Sequence, residues 1–240
     1  MKMKIVADSS ANLLALPDID FGIVPLHVIV GENAFGDADV VFCITITSTL
    51  SGTYNSAVIA KDIYEQNHAG RKVYVLDSLS TGPEIALFIE KIAELIKAGF
   101  APDDIYKALL EYKDKTHLYF SLASLNNFAK NGRISPVIAA GIGLLGVRVV
   151  GKASDEGTLL PLDKCRGEKR ALKKLIDHLN ECGYTDGKII IAHNNNEAGA
   201  LELKKLIENT FGIFNGKIQK TRALCSYYAE PGSLLIGFEA

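Results

Sequence analysis

The chain has 240 residues, 48% of them hydrophobic, and its 26 Lys and Arg stand against 28 Asp and Glu for a formal net charge of −2. That length suffices for one large domain or two small ones, and the balanced charge leaves no basic face for nucleic acid. Cys43, Cys165, Cys182 and Cys225 are widely spaced, with no CxxC and no metal-ligand spacing, and no apolar run reaches membrane-spanning length; a cytoplasmic protein without metal, cofactor or stable membrane insertion is expected.

In the first half, β-branched runs over residues 4–7, 22–30, 40–46 and 72–76 lack polar alternation, as expected of strands buried on both faces. Helices are predicted over residues 52–68, 82–98 and 102–115, the last opened by Ala101-Pro102-Asp103-Asp104, with proline in the first turn and acids beside it. Alternating strand and helix imply a parallel, doubly wound sheet. The second half has a different rhythm. A strand over 118–122 leads to a helix over 123–131 stopped by Gly132, then to a small-residue helix over 135–145. Strands over 148–153 and 159–162 flank the turn Ser154-Asp155-Glu156-Gly157 as a hairpin. A charged helix over 168–182, a strand over 188–193, a helix over 197–211 and strands over 217–225 and 233–238 complete a mixed sheet. The expected fold is therefore α/β with two domains, 1–115 and 116–240, divided where the parallel pattern gives way to the mixed one.

The segment from Ile44 to Ala57 carries the most chemistry. A strand runs into five hydroxyls, Thr45, Thr47, Ser48, Thr49 and Ser51, before Gly52 opens a helix. Side-chain donors, unpaired backbone N–H groups and the helix dipole converge there, which suits an anionic head group. Ser and Thr are also ordinary helix caps, so capping alone is the competing reading. Two other strands end in the same way, at Asp8-Ser9-Ser10 and at Asp77-Ser78-Leu79-Ser80-Thr81. Ligands of an open parallel sheet bind outside the carboxyl ends of its strands, so the three loops are expected to crowd one rim, although Asp8 and Asp77 also read as caps. Signatures of catalysis are missing: there is no GxSxG, Walker loop, GxGxxG or HExxH. His27, His68, His117, His178 and His193 are scattered, and nothing joins Ser51 or Ser48 to His193 as nucleophile and base. No catalytic residue is assigned.

Asp8-Ser9-Ser10, Leu50-Ser-Gly-Thr-Tyr-Asn-Ser-Ala57, Asp77-Ser78, Asn131-Gly-Arg-Ile-Ser135, Leu162-Asp-Lys-Cys-Arg166 and Pro231-Gly232 follow one another in the order seen in DegV proteins, which this chain resembles nearly end to end. The resemblance implies two α/β domains holding a long-chain fatty acid between them. It further implies a lipid-binding subunit, not itself an enzyme, that presents the carboxylate to a separate fatty acid kinase. By this resemblance Ser48 and Thr47 match a hydroxyl pair of which one member grips the carboxylate, and Gly132 and Arg133 shape the cleft; Ser51 and the Gly52 helix start are further candidate contacts read from the residues themselves. Arg166, and less directly Arg170, would meet phosphate or the kinase. Two departures stand out. Tyr228 occupies the position where most relatives carry a carboxylate-binding histidine, and a phenol is neutral at pH 7. The chain also passes from Gly36-Asp37 almost directly into the strand at Val40, without a helical insertion that relatives place there. The alternative reading is a DegV-like scaffold for a different small carboxylate or phosphorylated metabolite. The acyl tail needs an apolar wall, for which residues 137–145 are the expected source.

Overall fold

The structure, a computed structural model, describes residues 1–24, 35–135 and 146–240. Its first sheet holds β1 (Met3–Asp8), β2 (Asp20–Val24), β3 (Val40–Thr45) and β4 (Lys72–Asp77) in the order β2-β1-β3-β4, all parallel. Every residue of β3 is buried because helices cover both faces. Phe42 and Ile44 face one core, shared with α2 (Gly82–Lys97) and α3 (Pro102–Lys113). Val41 and Cys43 face the other, shared with α1 (Thr53–Asn67). Period-two packing against two layers explains the absence of polar alternation in the sequence.

The second sheet begins at β5 (Thr116–Leu122) and continues through β6 (Val147–Ala153), β7 (Leu159–Arg166), β8 (Ile189–His193), β9 (Gly216–Lys220) and β10 (Leu234–Glu239). Its order is β7-β6-β5-β10-β8-β9, antiparallel throughout except for the parallel β8–β9 pair. On one face Tyr119, Ile191, Ile236 and Phe238 pack with α5 (Glu168–Glu181) and α6 (Glu197–Phe211). On the other, Leu118, Phe120, Leu122 and Leu235 join residues of α7 (Ala223–Ala229) and the partly buried Phe128 of α4 (Asn126–Lys130).

Helix α2 is wedged between the sheets. Gly237 on β10 lies so near its first turn that a Cβ there would sit 2.5 Å from the Glu84 amide nitrogen. Ile190 of β8 completes the core on the α2 side of the first sheet. The fold is thus the expected α/β arrangement of one parallel and one mixed sheet, and the sheet changes between Lys113 and Thr116. We propose the division into 1–115 and 116–240 on that basis.

Local differences have identifiable causes. Residues 217–225 do not form one strand: β9 ends at Lys220, and Cys225, expected in a strand, lies in α7. Leu-Cys-Ser-Tyr-Tyr is β-prone by composition, but Leu224, Cys225, Tyr228 and Ala229 share one face only when helical. The turn into α7 is pinned from afar, by Thr221 N–H donating to His193 O at 2.9 Å and Arg222 N–H donating to Asn12 Oδ1 at 2.8 Å. Strand β7 runs on to Arg166 rather than ending at 162, so Arg166 closes the hairpin instead of following it. Helix α4 is shorter than the expected 123–131, because Ala123 N–H is drawn to Ser233 Oγ at 3.0 Å. Residues 136–145 of the expected small-residue helix, residues 25–30 of the second strand, and His27 lie outside the described residues.

Candidate functional site

The carboxyl ends of β1, β3 and β4 meet at one rim. Asp8 at the end of β1 accepts from Ile46 N–H at 2.5 Å and from Ser10 N–H at 2.9 Å. Asp77 at the end of β4 accepts from the Ser48 and Leu79 amides, both at 3.1 Å. Thr47 N–H donates to Ser80 O at 2.9 Å. The two aspartates therefore knit the rim together, and burial pushes the Asp8 carboxyl above its ordinary pKa against the pull of the Ile46 and Ser10 hydrogen bonds.

The hydroxyl cluster divides by partner. Thr45 Oγ1 donates to Leu76 O at 3.3 Å, Thr47 Oγ1 to Gly157 O at 2.9 Å, and Thr49 Oγ1 to Glu156 O. Ser51 Oγ pairs with Thr53 Oγ1 at 2.8 Å and accepts from Thr53 N–H at 3.3 Å, which satisfies the first amide of α1 from the residue before its Gly52 cap. A hydroxyl has one proton to give, so Thr45, Thr47 and Thr49 have spent theirs on the protein. Half-buried Ser48 is different, because among the described residues its Oγ has no hydrogen-bond partner.

Below this rim, between the two sheets, lies a cavity of about 250 Å³. Its walls are mostly apolar: Ile46, Leu50 and Leu79 from the first half, Leu118, Phe120 and Leu122 from β5, and Leu224, Ala229 and Leu235 from the end of the chain. Leu118, Phe120 and Leu122 alternate along β5, so these three side chains of one face line the space together. Thr47, Ser51, Arg133 and Tyr228 supply polar groups, and Arg133 is the one charged lining residue among those described. Arg133 is placed by the end of α4. Gly132, at φ +66°, donates to Ala129 O at 3.0 Å, and Arg133 N–H donates to Phe128 O at 2.9 Å, a Schellman closure that requires the left-handed glycine. The guanidinium then reaches across the cleft, Nε donating to Leu50 O at 2.9 Å.

Residues 34–240 match the family described as uncharacterised proteins of the DegV family. The chain belongs to the DegV family. It is 45% identical over 207 residues to a DegV domain-containing protein of Streptococcus pneumoniae, a match covering 86% of this chain and 74% of that one. Among solved structures it resembles a DegV family protein of Eubacterium eligens loaded with heptadecanoic acid, at TM-score 0.95 and 36% identity over 99% of each chain. It also resembles the Streptococcus pneumoniae fatty acid kinase B3 protein loaded with linoleic acid, at TM-score 0.93 and 37% identity over 100% of this chain and 99% of that one.

Within this DegV chain, Thr47, Ser51, Arg133 and Tyr228 come together at the cleft, while Ser48, Gly52 and Gly132 sit next to lining residues without lining it themselves. The Tyr228 ring packs against Phe128 at 4.9 Å between centroids, tilted by 35°. Arg166 and Arg170 are exposed, Arg166 pairing with Val147 at the end of the hairpin opposite the turn that meets Thr47. His193 is buried and does not line the cleft; its Nδ1 accepts from Asn196 N–H at 3.3 Å, and burial lowers its pKa. Among the described residues no hydrogen bond joins it to Ser51, whose Oγ pairs with Thr53. Among the described residues no cluster of three metal-ligating side chains exists, and no helix is long and apolar enough to cross a membrane. The expected apolar wall over 137–145 lies outside the described residues, whereas the β5 side chains that do face the cavity were not singled out in the sequence. Gly157, read in the sequence only as the end of a hairpin turn, is where a Cβ would lie 2.1 Å from Thr47 Oγ1, so only glycine lets that turn close on the rim.

Proposed function

We propose that this DegV protein binds a long-chain fatty acid in the cleft between its sheets and presents the carboxylate to a separate kinase, performing no phosphoryl transfer itself. The reading is carried by one arrangement: an apolar slot that ends at a rim offering the Arg133 guanidinium and, beside it, the Ser48 hydroxyl, which has no partner among the described residues. Burying about fourteen methylenes at ~0.8 kcal/mol each contributes on the order of 11 kcal/mol gross. An unpaired carboxylate in the same slot would cost several kcal/mol, which two or three charge-assisted hydrogen bonds offset. Ser48, Tyr228 and Arg133 are the donors we assign, and the α1 N-terminus at Ser51-Gly52 adds a favourable dipole. Thr47 holds the rim in place, its proton being given to Gly157.

Mass spectrometry of lipid extracted from the purified protein should find a long-chain fatty acid; a small acid or a phosphorylated metabolite in its place would sink the proposal. Replacing Ser48 with Ala should weaken binding roughly tenfold, about 1.5 kcal/mol, with the melting temperature unchanged, because a single charge-assisted bond is lost. We place the kinase contact at Arg166 and Arg170, which are exposed and remote from the slot. Arg166→Ala should bind the fatty acid normally and slow its phosphorylation by the kinase. Weakened lipid binding with normal transfer would reverse that assignment.

A further inference from the structure

Glu230 follows α7 with φ +59° and ψ 160°, a region of backbone space that only glycine occupies without strain. A charged residue kept in such a conformation calls for a compensating role of its side chain. The Glu230 carboxylate crosses to the second wall of the cleft, where its Oε1 accepts from Ser124 Oγ at 2.9 Å and from the Asn127 amide at 3.0 Å. Asn127 lies in the first turn of α4, and Ser124 precedes it and accepts from Asn126 N–H at 3.1 Å, so Glu230 holds both the first turn and its local acceptor, while the adjacent Leu125 makes no side-chain cap. Glu230 therefore caps, from another element, the helix whose far end projects Arg133.

Neighbouring contacts reinforce the connection. Asn127 Nδ2 donates to Tyr227 O at 2.8 Å, Asn131 Nδ2 to Tyr227 Oη at 3.0 Å, and the Phe128 and Tyr228 rings pack together at a 35° tilt. We propose that Glu230 is a positioning residue that clamps α4 to α7 and so sets the spacing between Arg133 and Tyr228 at the head-group end of the cleft. The proposal rests on the fatty-acid reading above for its functional half, while the clamp itself stands on the hydrogen bonds alone. A site whose donors are held by such cross-bracing before the ligand arrives loses less freedom on binding.

Substitution separates strain from positioning. Glu230→Gly relieves the backbone and removes the clamp; Glu230→Gln keeps both the strain and an Oε1 acceptor. In Glu230→Gly, hydrogen exchange at the Asn127 amide should speed up, and affinity for a fluorescent long-chain polyene fatty acid should fall roughly tenfold. Its melting temperature should stay within about 2–4 °C of the parent or rise, since relief of strain offsets the lost bonds. Glu230→Gln should resemble the parent in exchange and in affinity. A merely structural role would lower melting temperature and affinity together, and that result overturns the proposal. So does unchanged affinity in Glu230→Gly when the parent binds the probe. If the parent binds no fatty acid, the function proposed above fails, and unchanged exchange at Asn127 in Glu230→Gly then overturns the clamp on its own.

Discussion

Arg133→Ala is expected to weaken fatty-acid binding more than a hundredfold, about 3 kcal/mol, in the range for truncating one partner of a hydrogen-bonded charge pair. Arg133 is the one charged residue among the described lining residues, and the neutral phenol of Tyr228 cannot replace its charge. The loss has two sources. The carboxylate would be left without a counter-charge in a slot walled by leucine and phenylalanine, and the Nε bond to Leu50 O that ties α4 to the β3–α1 loop would go with it. Arg133→Lys separates these, because an ammonium restores charge without the planar fork that serves two partners at once. Its affinity should fall between those of the parent and Arg133→Ala. Calorimetric titration of delipidated protein with one fatty acid measures both. Equal affinity of Arg133→Ala and parent would remove Arg133 from the site.

Glu84→Gln should stabilise the protein at pH 8 by about 3 kcal/mol and leave it unchanged near pH 4.5. Glu84 is buried in the first turn of α2, beneath Gly237 of β10, where Thr116 Oγ1 donates to it at 2.8 Å. Burial pushes its pKa up from 4.5 to about 7, against the hydrogen bond from Thr116 and the positive charge of Lys113. The sign follows from proton linkage. Below pH 4.5 the carboxyl is protonated folded or unfolded and contributes no difference. Between 4.5 and 7 the folded state holds a proton that the unfolded state releases, so stability falls as pH rises. Above 7 the folded protein carries a buried charge and the full penalty applies. At 1.36 kcal/mol per pKa unit the span amounts to ~3 kcal/mol, or roughly 6–12 °C in melting temperature for a chain of this size. Glutamine keeps the acceptor for Thr116 and removes the titration. Melting curves of the two proteins that run parallel from pH 4.5 to 8 would show that Glu84 does not titrate in this window.

Glu84 and Arg133 also show why part of the site was legible in the sequence and part was not. Gly132-Arg133 could be read as a helix stop followed by a cation, because glycine in the left-handed region is a local requirement of the Schellman closure. Nothing local marks Glu84, which sits at an ordinary helix N-terminal position and becomes unusual only because β10 closes over it. Likewise the five hydroxyls after β3 are plain in the sequence, but which of them remains available is not. Thr47 and Thr49 are consumed by a hairpin turn more than a hundred residues away, and among the described residues Ser48 Oγ is left without a partner.

By itself the sequence determined the parallel first sheet and the helices that cover it, because unbroken apolar strands need a layer on both faces and each connecting helix carries its own start and stop signals. It also marked the rim at the carboxyl ends of β1, β3 and β4, since the crossover topology places those loops together. Tertiary structure alone decided the rest. Residues 223–229 became a helix because packing against the cleft face outweighed β propensity. Leu118, Phe120 and Leu122 of β5, rather than Tyr119 and its odd-numbered neighbours, became the wall of the slot because α5 and α6 had already covered the other face of the sheet. A strand's period of two defines the two faces, and only the elements packed against them determine which face is left open.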